Sequence, residues 1–185
     1  MKKNREYTYI DLFTGAGGLY RGCKDAGMKH LLSVELWKPA IETLKHNYPD
    51  INLYEGDIRD LQGEELMSLL NGKECDLICG GPPCQGFSMA GSRIRKTSEF
   101  IDDPRNFLFR YYFKIIQKFE PQYFVFENVV GILSSKNGEI LETIKSIFED
   151  DSNFKNGRYY LHIKVFKAEE YGVPQQRRRV IILGT

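Results

Sequence analysis

Metal-binding residues are scarce in this sequence, and long hydrophobic runs are missing. The 185 residues include four cysteines, none of them in a Cys-X-X-Cys pair, and three scattered histidines. Structural zinc sites need such ligands at short, regular spacings, so we predict no metal site. The apolar runs are short segments such as 123–126. A membrane-spanning helix needs about 20 apolar residues, so we also expect no membrane segment.

An excess of one charge is missing too. The 26 lysines and arginines nearly balance the 25 aspartates and glutamates, which leaves a net charge of +1. Basic residues do cluster locally, at Arg93, Arg95 and Lys96 and again at 177–179. Such clusters more often form solvated faces than binding sites. By themselves they are weak evidence for contact with DNA or RNA.

The rest of the composition is typical of one folded domain. Hydrophobic residues make up 42% and charged residues 28% of the chain, which argues against disorder. The cysteines show no disulfide framework, and no export signal is visible after the basic segment 1–6. Because unpaired thiols favour a reducing compartment, we expect the protein in the cytoplasm.

Strands and helices are predicted to alternate along the chain. Seven strands are expected, at 7–12, 31–35, 52–55, 76–79, 123–126, 159–165 and 180–183. Helices are expected at 19–26, 39–48, 64–70, 106–119 and 139–148, and an exposed loop at 92–104. This alternation predicts an α/β fold with a mostly parallel sheet and helices on both faces. Ligands of such folds bind at the carboxyl ends of the strands.

One cysteine lies in a turn bounded by glycines and prolines, directly after a predicted buried strand. The turn reads Gly-Gly-Pro-Pro-Cys-Gln-Gly over residues 80–86 and contains Cys84. The prolines restrict its backbone, and the glycines let another molecule approach closely. Cys84 is therefore a candidate nucleophile. A structural turn with an incidental cysteine is the alternative that this segment leaves open.

A glycine-rich loop follows the first strand and opens the first helix. It reads Asp-Leu-Phe-Thr-Gly-Ala-Gly-Gly over residues 11–18. Tyr20 occupies the third glycine position of the dinucleotide fingerprint, and the lysine of a P-loop is absent. The loop still lets a ligand approach the backbone at a helix N-terminus.

Carboxylates follow at the next two strand ends. Glu35 is placed to accept hydrogen bonds from ribose hydroxyls. Asp57 is placed to accept one from an adenine amino group, with Ile58 packed on the ring. Each carboxylate taken singly is better explained as a helix cap or a turn residue. Together with the glycine loop they predict a site for an adenosine-bearing cofactor without a pyrophosphate.

A candidate proton donor ends the fifth predicted strand, and a group of arginines precedes the last one. Glu127 follows four apolar residues, where desolvation would raise its pKa and make it a proton donor near neutral pH. A structural bond to a neighbouring loop is the alternative. Alternation along an extended segment points Arg177 and Arg179 in one direction and Arg178 in the other. The pair could hold a phosphate or carbonyl oxygen, or stabilise a thiolate.

These motifs resemble those of the DNA (cytosine-5) methyltransferases, in particular the catalytic N-terminal part of the bacterial restriction-modification type. The resembling segments occur in the family's order: 11–18, Pro83-Cys84-Gln85, 103–108, Glu127-Asn128-Val129 and 175–179. The resemblance implies a Rossmann-like fold that binds S-adenosylmethionine, with double-stranded DNA as substrate. It also implies that a flipped cytosine is attacked at C6 by Cys84 while Glu127 contacts N3. Arg177 would help to activate the thiol, with Arg179 in support.

The resemblance also assigns binding residues. The cofactor residues would be Phe13, Gly15, Gly17, Gly18, Glu35, Leu36, Asp57, Ile58, Pro83 and Leu108. The DNA-binding residues would be Gln85, Ser88, Arg93, Arg95 and Lys96. The chain departs from the family after the ribose carboxylate, where Leu36 precedes Trp37. Either of these two side chains could therefore stack on adenine.

Residues 1–185 are expected to form one catalytic domain without the family's target-recognition region and closing segment. A second chain or a further C-terminal part would then supply recognition, and the chain alone would be weakly active. A transfer-RNA cytosine methyltransferase and a non-catalytic subunit of a split enzyme are the alternatives. A nicotinamide oxidoreductase is disfavoured because the third glycine is absent and because Cys84 and Glu127 would have no role.

Overall fold

A computed structural model describes residues 5–61, 63–83 and 107–185. The strands are β1 (Thr8–Leu12), β2 (Lys29–Glu35), β3 (Leu53–Glu55), β4 (Leu77–Gly80), β5 (Tyr123–Val129), β6 (Leu161–Lys167) and β7 (Arg178–Gly184). The helices are α1 (Gly18–Asp25), α2 (Lys38–Asn47), α3 (Gly63–Leu69), α4 (Phe107–Phe119) and α5 (Glu139–Phe148). The loop expected at 92–104 lies outside the described residues.

The strands form one seven-stranded sheet in the order β3-β2-β1-β4-β5-β7-β6. Strand β1 pairs in parallel with β2 and β4, and β2 pairs in parallel with β3. Strand β6 pairs antiparallel with β7. The predicted α/β fold with a mostly parallel sheet is thereby confirmed.

The chain divides into two compact units. Unit 1 comprises Met1–Gly81 with Pro121–Phe124, and unit 2 comprises Pro82–Glu120 with Val125–Thr185. The carboxyl ends of β1, β2 and β3 belong to unit 1, and so does the glycine loop at 11–18. Glu127 and the arginines at 177–179 belong to unit 2.

Unit 1 is built around β1, whose last four residues are buried. Strands with a neighbour on each side are apolar along most of their length because both faces are covered. Helices α1 and α2 add an aromatic cluster in which the rings of Tyr9, Tyr20, His30 and Tyr48 pack together. These ring contacts join β1 and β2 to α1 and to the residue that follows α2.

Unit 2 has an aromatic core centred on Phe148 at the end of α5. Its ring contacts Phe109 and Phe113 of α4, and also Phe154 and Tyr159, with ring centroids 5.5–6.5 Å apart. Aromatic pairs at these separations stabilise a core beyond the area they bury. The core places α4 and α5 behind the strands that carry the acidic and basic side chains of unit 2.

Strand β5 is longer than the sequence predicted. It continues to Val129, three residues beyond the expected end, so Glu127 lies inside the strand. Strand β7 likewise begins at Arg178, and Arg179 lies within it. Regular pairing in the sheet therefore fixes the backbone of both charged residues.

Within residues 5–61, 63–83 and 107–185, no helix is long and apolar enough to cross a membrane. No group of three or more histidine, cysteine, aspartate or glutamate side chains in those ranges is placed to hold a metal ion.

Candidate active site

The glycine loop of unit 1 has a tightly bonded backbone. Thr14 donates its N–H to the carbonyl of Val34 at 3.1 Å and its hydroxyl to the carbonyl of Asp11 at 2.9 Å. Three residues of the loop have positive φ: Phe13 at 60°, Gly15 at 59° and Gly17 at 92°. Phe13 is strained there, because a side chain in the left-handed region costs about 1–2 kcal/mol. The loop is therefore held in one conformation before any ligand binds.

The glycines of this loop have different roles. A Cβ added to Gly15 or Gly18 would meet no atom within 4 Å. A Cβ on Gly17 would lie 3.0 Å from Leu44 Cδ2 and 3.2 Å from Tyr48 Cε2. Gly15 and Gly18 therefore face open space that a ligand can enter. Gly17 is required by the packing of α1 on α2.

Glu35 joins the glycine loop to the start of α2. Its Oε2 accepts the N–H of Gly15 at 2.7 Å. Its Oε1 accepts the N–H of Leu36 at 2.9 Å and that of Trp37 at 2.8 Å, just before α2 begins. A carboxylate has about four acceptor positions, so these three bonds leave capacity for a ligand hydroxyl. Glu35 therefore acts as the turn residue that the sequence offered as the alternative, while its role toward ribose stays a prediction.

Asp57 is engaged by a neighbouring arginine. Its Oδ1 accepts the N–H of Arg59 at 2.9 Å, and its Oδ2 accepts Arg59 Nε at 2.7 Å. These bonds from Arg59 lower the pKa of the Asp57 carboxyl below its usual value. Ile58 beside it is buried, whereas the side chains of Leu36 and Trp37 are 58% and 67% exposed. The exposed apolar surface near Glu35 therefore comes from Leu36 and Trp37.

In unit 2, Glu127 forms ion pairs with the two predicted arginines. Arg179 Nε lies 3.0 Å from Glu127 Oε1, and Arg177 Nη2 lies 3.9 Å from the same oxygen. The prediction that Arg177 and Arg179 point the same way is confirmed. The Glu127 side chain is 25% exposed and faces two guanidinium groups rather than an apolar pocket. The carboxylate is thus paired through Oε1 with two guanidinium groups.

Asn128 was not predicted as a site residue, although it follows Glu127 directly. It is 4% exposed, and its Nδ2 donates to the carbonyl of Pro82 at 3.2 Å. Its Oδ1 accepts the N–H of Val129 at 2.8 Å. The side chain thus ties β5 to the proline turn that precedes Cys84. Its place in the Glu-Asn-Val segment was the only sequence signal for this role.

The remaining predicted residues are only partly described. Pro83 is exposed and Leu108, on α4, is half-buried; both belong to unit 2. The predicted nucleophile and the predicted DNA-contacting residues lie outside the described ranges: Cys84, Gln85, Ser88, Arg93, Arg95 and Lys96.

Comparison with known proteins accounts for this combination of fold and side chains. The model of the C-5 cytosine-specific DNA methylase family matches residues 7–185. The chain belongs to this family. The assignment removes the nicotinamide oxidoreductase from the alternatives.

Several members of the family are similar over nearly the whole chain. Type II methyltransferase M1.HphI of Haemophilus parahaemolyticus is 40% identical over 177 residues, which cover 96% of this chain and 45% of the relative. Type II methyltransferase M.AquIA of Picosynechococcus sp. is 36% identical over 183 residues, which cover 97% of this chain and 72% of the relative. The chain therefore spans less than half of the first relative and most of the second.

Solved structures agree with the family assignment. A crystal structure assigned as a DNA modification methyltransferase of an E. coli prophage has a TM-score of 0.76 and 32% identity, over 97% of this chain and 47% of that one. The structure of S. pombe Dnmt2 has a TM-score of 0.70 at 22% identity, over 97% of this chain and 50% of that one. The second likeness shows that the fold is shared.

Proposed function

We propose that this chain is the catalytic, cofactor-binding part of an enzyme that methylates C5 of cytosine in double-stranded DNA. The observation that carries the proposal is the Glu127 carboxylate, held through one oxygen by Arg179 in a member of the C-5 cytosine-specific DNA methylase family. A carboxylate oriented in this way suits hydrogen bonding to a ring nitrogen of a base. The names of the Type II relatives support a role in restriction-modification.

The residues of unit 1 fit S-adenosylmethionine as the cofactor. Open space at Gly15 and Gly18 lets a ligand approach the backbone of the loop, and Glu35 retains acceptor capacity for ribose hydroxyls. Leu36 and Trp37 offer exposed apolar surface for the adenine. When bound, this cofactor supplies an electrophilic methyl group. The other proposed cofactor residues are Phe13, Gly17, Asp57, Ile58, Pro83 and Leu108.

The proposed chemistry on the base uses Cys84 and Glu127. The Cys84 thiolate forms a bond to C6 of cytosine while Glu127 protonates or hydrogen-bonds N3, which places electron density on C5. Once C5 carries the methyl group, its proton would pass to solvent and the electrons of that C–H bond would re-form the C5–C6 double bond, while N3 returns any proton to Glu127 and sulfur leaves C6. The thiolate is thereby regenerated. A free thiol titrates at about 8.5, so the nucleophile needs a positively charged neighbour, for which Arg177 is the candidate.

Arg179 is a positioning residue in this proposal. Its Nε lies 3.0 Å from Glu127 Oε1, so the ion pair restrains the carboxylate beside Arg179. The resemblance to the family implies a supporting role for Arg179 at the thiol. The contact with Glu127 favours a role at the proton donor instead.

Double-stranded DNA is the proposed substrate. The ring carbons of a stacked cytosine are out of reach, so the base must leave the duplex. Gln85, Ser88, Arg93, Arg95 and Lys96 are the proposed DNA contacts, with the basic residues at phosphates. Recognition of a particular sequence would come from a further C-terminal part or from a second chain.

The test is mass spectrometry of nucleosides after incubation of the purified chain with S-adenosylmethionine and nucleic acid. We expect 5-methyldeoxycytidine from duplex DNA and a loss of at least ~100-fold in Glu127→Gln, in line with the usual contribution of general acid catalysis. Glu142→Gln, an exposed glutamate on α5, is the matched control and should retain the rate. Methylation of transfer RNA but not DNA would contradict the proposal, and so would full activity of Glu127→Gln.

A further inference from the structure

A buried asparagine follows the proposed proton donor on β5. Buried and half-buried positions alternate along this strand, and its buried face carries Phe124, Phe126 and Asn128. The ring of Phe126 packs on Phe109 and Tyr112 of α4, with ring centroids 5.7 and 5.6 Å apart. Asn128 continues this apolar face and is 4% exposed. Asparagine is mostly exposed in folded proteins, so its burial here calls for polar partners.

Two hydrogen bonds fix the amide group of Asn128. Its Nδ2 donates to the carbonyl of Pro82 at 3.2 Å, and its Oδ1 accepts the N–H of Val129 at 2.8 Å. A backbone carbonyl only accepts and a backbone N–H only donates, so the amide group cannot be turned round. The position therefore requires a short side chain that carries a donor and an acceptor together.

The segment that Asn128 reaches is poor in backbone donors. Pro82 lies two residues before Cys84 and is followed by Pro83. Neither proline has an N–H, so this dipeptide forms backbone hydrogen bonds through its carbonyls alone. Pro82 is buried, and a buried carbonyl is costly unless a donor reaches it. Asn128 supplies that donor.

Two consecutive residues of β5 thus hold two different parts of the proposed site. Successive side chains of a strand point to opposite faces of the sheet. Glu127 points to Arg179, whose Nε lies 3.0 Å from its Oε1, while Asn128 points to Pro82. All of these residues belong to unit 2. The proposed reaction needs the proton donor and the nucleophile at one spacing, because N3 and C6 belong to the same ring.

We propose that Asn128 is a positioning residue for the nucleophile: by holding the carbonyl of Pro82, it sets the position of Cys84 relative to Glu127. Attack at C6 and contact at N3 then occur on the same cytosine. This inference rests on the proposed function. Asn128 acts through the backbone of Pro82 and not by contact with the base.

Removal of the Asn128 amide should lower the rate of methyl transfer more than the affinity for substrates. We expect Asn128→Ala to lower kcat by about 10- to 100-fold, since a displacement of about 1 Å at a reacting group has effects of this size. The KM for S-adenosylmethionine should stay within about two-fold of that of the unaltered chain, because the lost contact orients the nucleophile and binds no substrate.

Asn153→Ala is the matched control. Asn153 lies beyond the end of α5, and its Nδ2 donates to the carbonyl of Ile147 at 2.9 Å. It makes the same kind of bond as Asn128 and belongs to the same unit. Asn153→Ala should therefore lower stability and leave kcat unchanged.

Asn128→Asp tests the hydrogen bond itself. A protonated carboxyl at this position can donate to Pro82 and accept from Val129, whereas an ionised carboxyl has no donor. Burial raises the pKa of such a carboxyl. The loss of kcat relative to the unaltered chain at the same pH should therefore shrink as the pH falls from about 8 to about 6. A loss that is the same at every pH would contradict the role of the donor.

Amide hydrogen exchange, read by mass spectrometry of peptides, tests the inference without DNA or cofactor. We expect the peptide that begins at Cys84 to exchange about five-fold faster in Asn128→Ala, the effect of one lost hydrogen bond. Exchange in β1 reports on the whole fold and should stay the same. If Asn128→Ala fails to fold, the isosteric Asn128→Asp takes its place in this comparison.

The outcomes separate this inference from the proposed function. Unchanged exchange at Cys84 in a folded variant, or an unchanged kcat, would overturn the positioning role and leave the proposed function standing. Methylation of transfer RNA but not DNA would contradict the proposed function and leave the role of Asn128 intact. Where the unaltered chain is too slow for kcat to be measured, the exchange result decides.

Discussion

At the scale of single residues, the acidic side chains of this protein are distinguished by their partners. Glu127 meets arginine, Asp57 meets its neighbour Arg59, and Glu35 meets backbone N–H groups. Asp11 is buried with one oxygen unpartnered in the described structure. The carboxyl group therefore differs in role between these positions. It is a paired side chain at Glu127, a turn residue at Asp57 and a loop anchor at Glu35, and at Asp11 it is a buried titratable group.

Replacing Arg179 tests its contact with Glu127. Lysine keeps the charge but lacks the Nε that lies 3.0 Å from the carboxylate. We expect Arg179→Lys to lower the methyl-transfer rate at saturating substrate by about 10- to 100-fold, because the proton donor loses its fixed orientation. Arg178→Lys is the control, and equal rates of the two variants would refute the positioning role. Measured KM values should change less than kcat.

Asp11 also predicts a dependence of stability on pH. Its folded pKa of about 7 lies above the usual value of 3.8, so the folded state keeps a proton that the unfolded chain has already lost between these values. Stability from this group is therefore complete below pH ~4 and is lost as pH rises to ~7, by up to about 4 kcal/mol. Urea unfolding of Asp11→Asn should show a smaller decline between pH 5 and pH 8. A decline equal to that of the unaltered protein would contradict the buried, protonated carboxyl.

At the scale of elements, two glycines of the glycine loop differ in role: Gly15 faces open space for a ligand, and Gly17 packs against neighbouring side chains. Gly15→Ala would place a methyl group in open space, and Gly17→Ala would place one against Leu44 and Tyr48. Both positions have positive φ, so each alanine costs about 1 kcal/mol of backbone strain.

Only the alanine at Gly17 would clash with Leu44 and Tyr48, so the two variants should differ. Gly17→Ala should lose a further ~1–3 kcal/mol in urea unfolding because the α1–α2 contact is overpacked. Gly15→Ala should lose only the ~1 kcal/mol of backbone strain, and it should also lose affinity for S-adenosylmethionine. Calorimetry and unfolding measured on both variants check this, and a Gly15→Ala variant with unchanged affinity would show that no ligand enters there.

The elements themselves could largely be predicted from the sequence. Apolar runs and glycine or proline breaks predicted all seven strands, and the helix at 139–148 has the predicted bounds. The sequence predicted β5 to end too early and β7 to begin too late. Glu127 and Arg179 are polar, so their residue types argued against a strand, although the sheet includes both. The bond between Glu35 and Gly15 joins residues 20 apart in sequence. Local patterns carry no information on such contacts.

At the scale of the whole molecule, each unit supplies one part of the proposed reaction. Unit 1 carries the glycine loop with Glu35 and Asp11, and unit 2 carries Glu127 with its arginines and Asn128. Family membership extends over residues 7–185, while the share of each relative that the chain covers differs from 45% to 72% between M1.HphI and M.AquIA. The proposed catalytic domain is thus one part of what the longer relatives contain.

The most direct test of the central claim is a covalent trap. Duplex DNA with 5-fluorocytosine is incubated with the chain and S-adenosylmethionine, and the mixture is run under denaturing conditions. Fluorine at C5 blocks the final elimination, so we predict a denaturant-resistant protein–DNA adduct that disappears in Cys84→Ser and persists in Cys23→Ser. An adduct that survives Cys84→Ser would contradict cytosine methylation through Cys84.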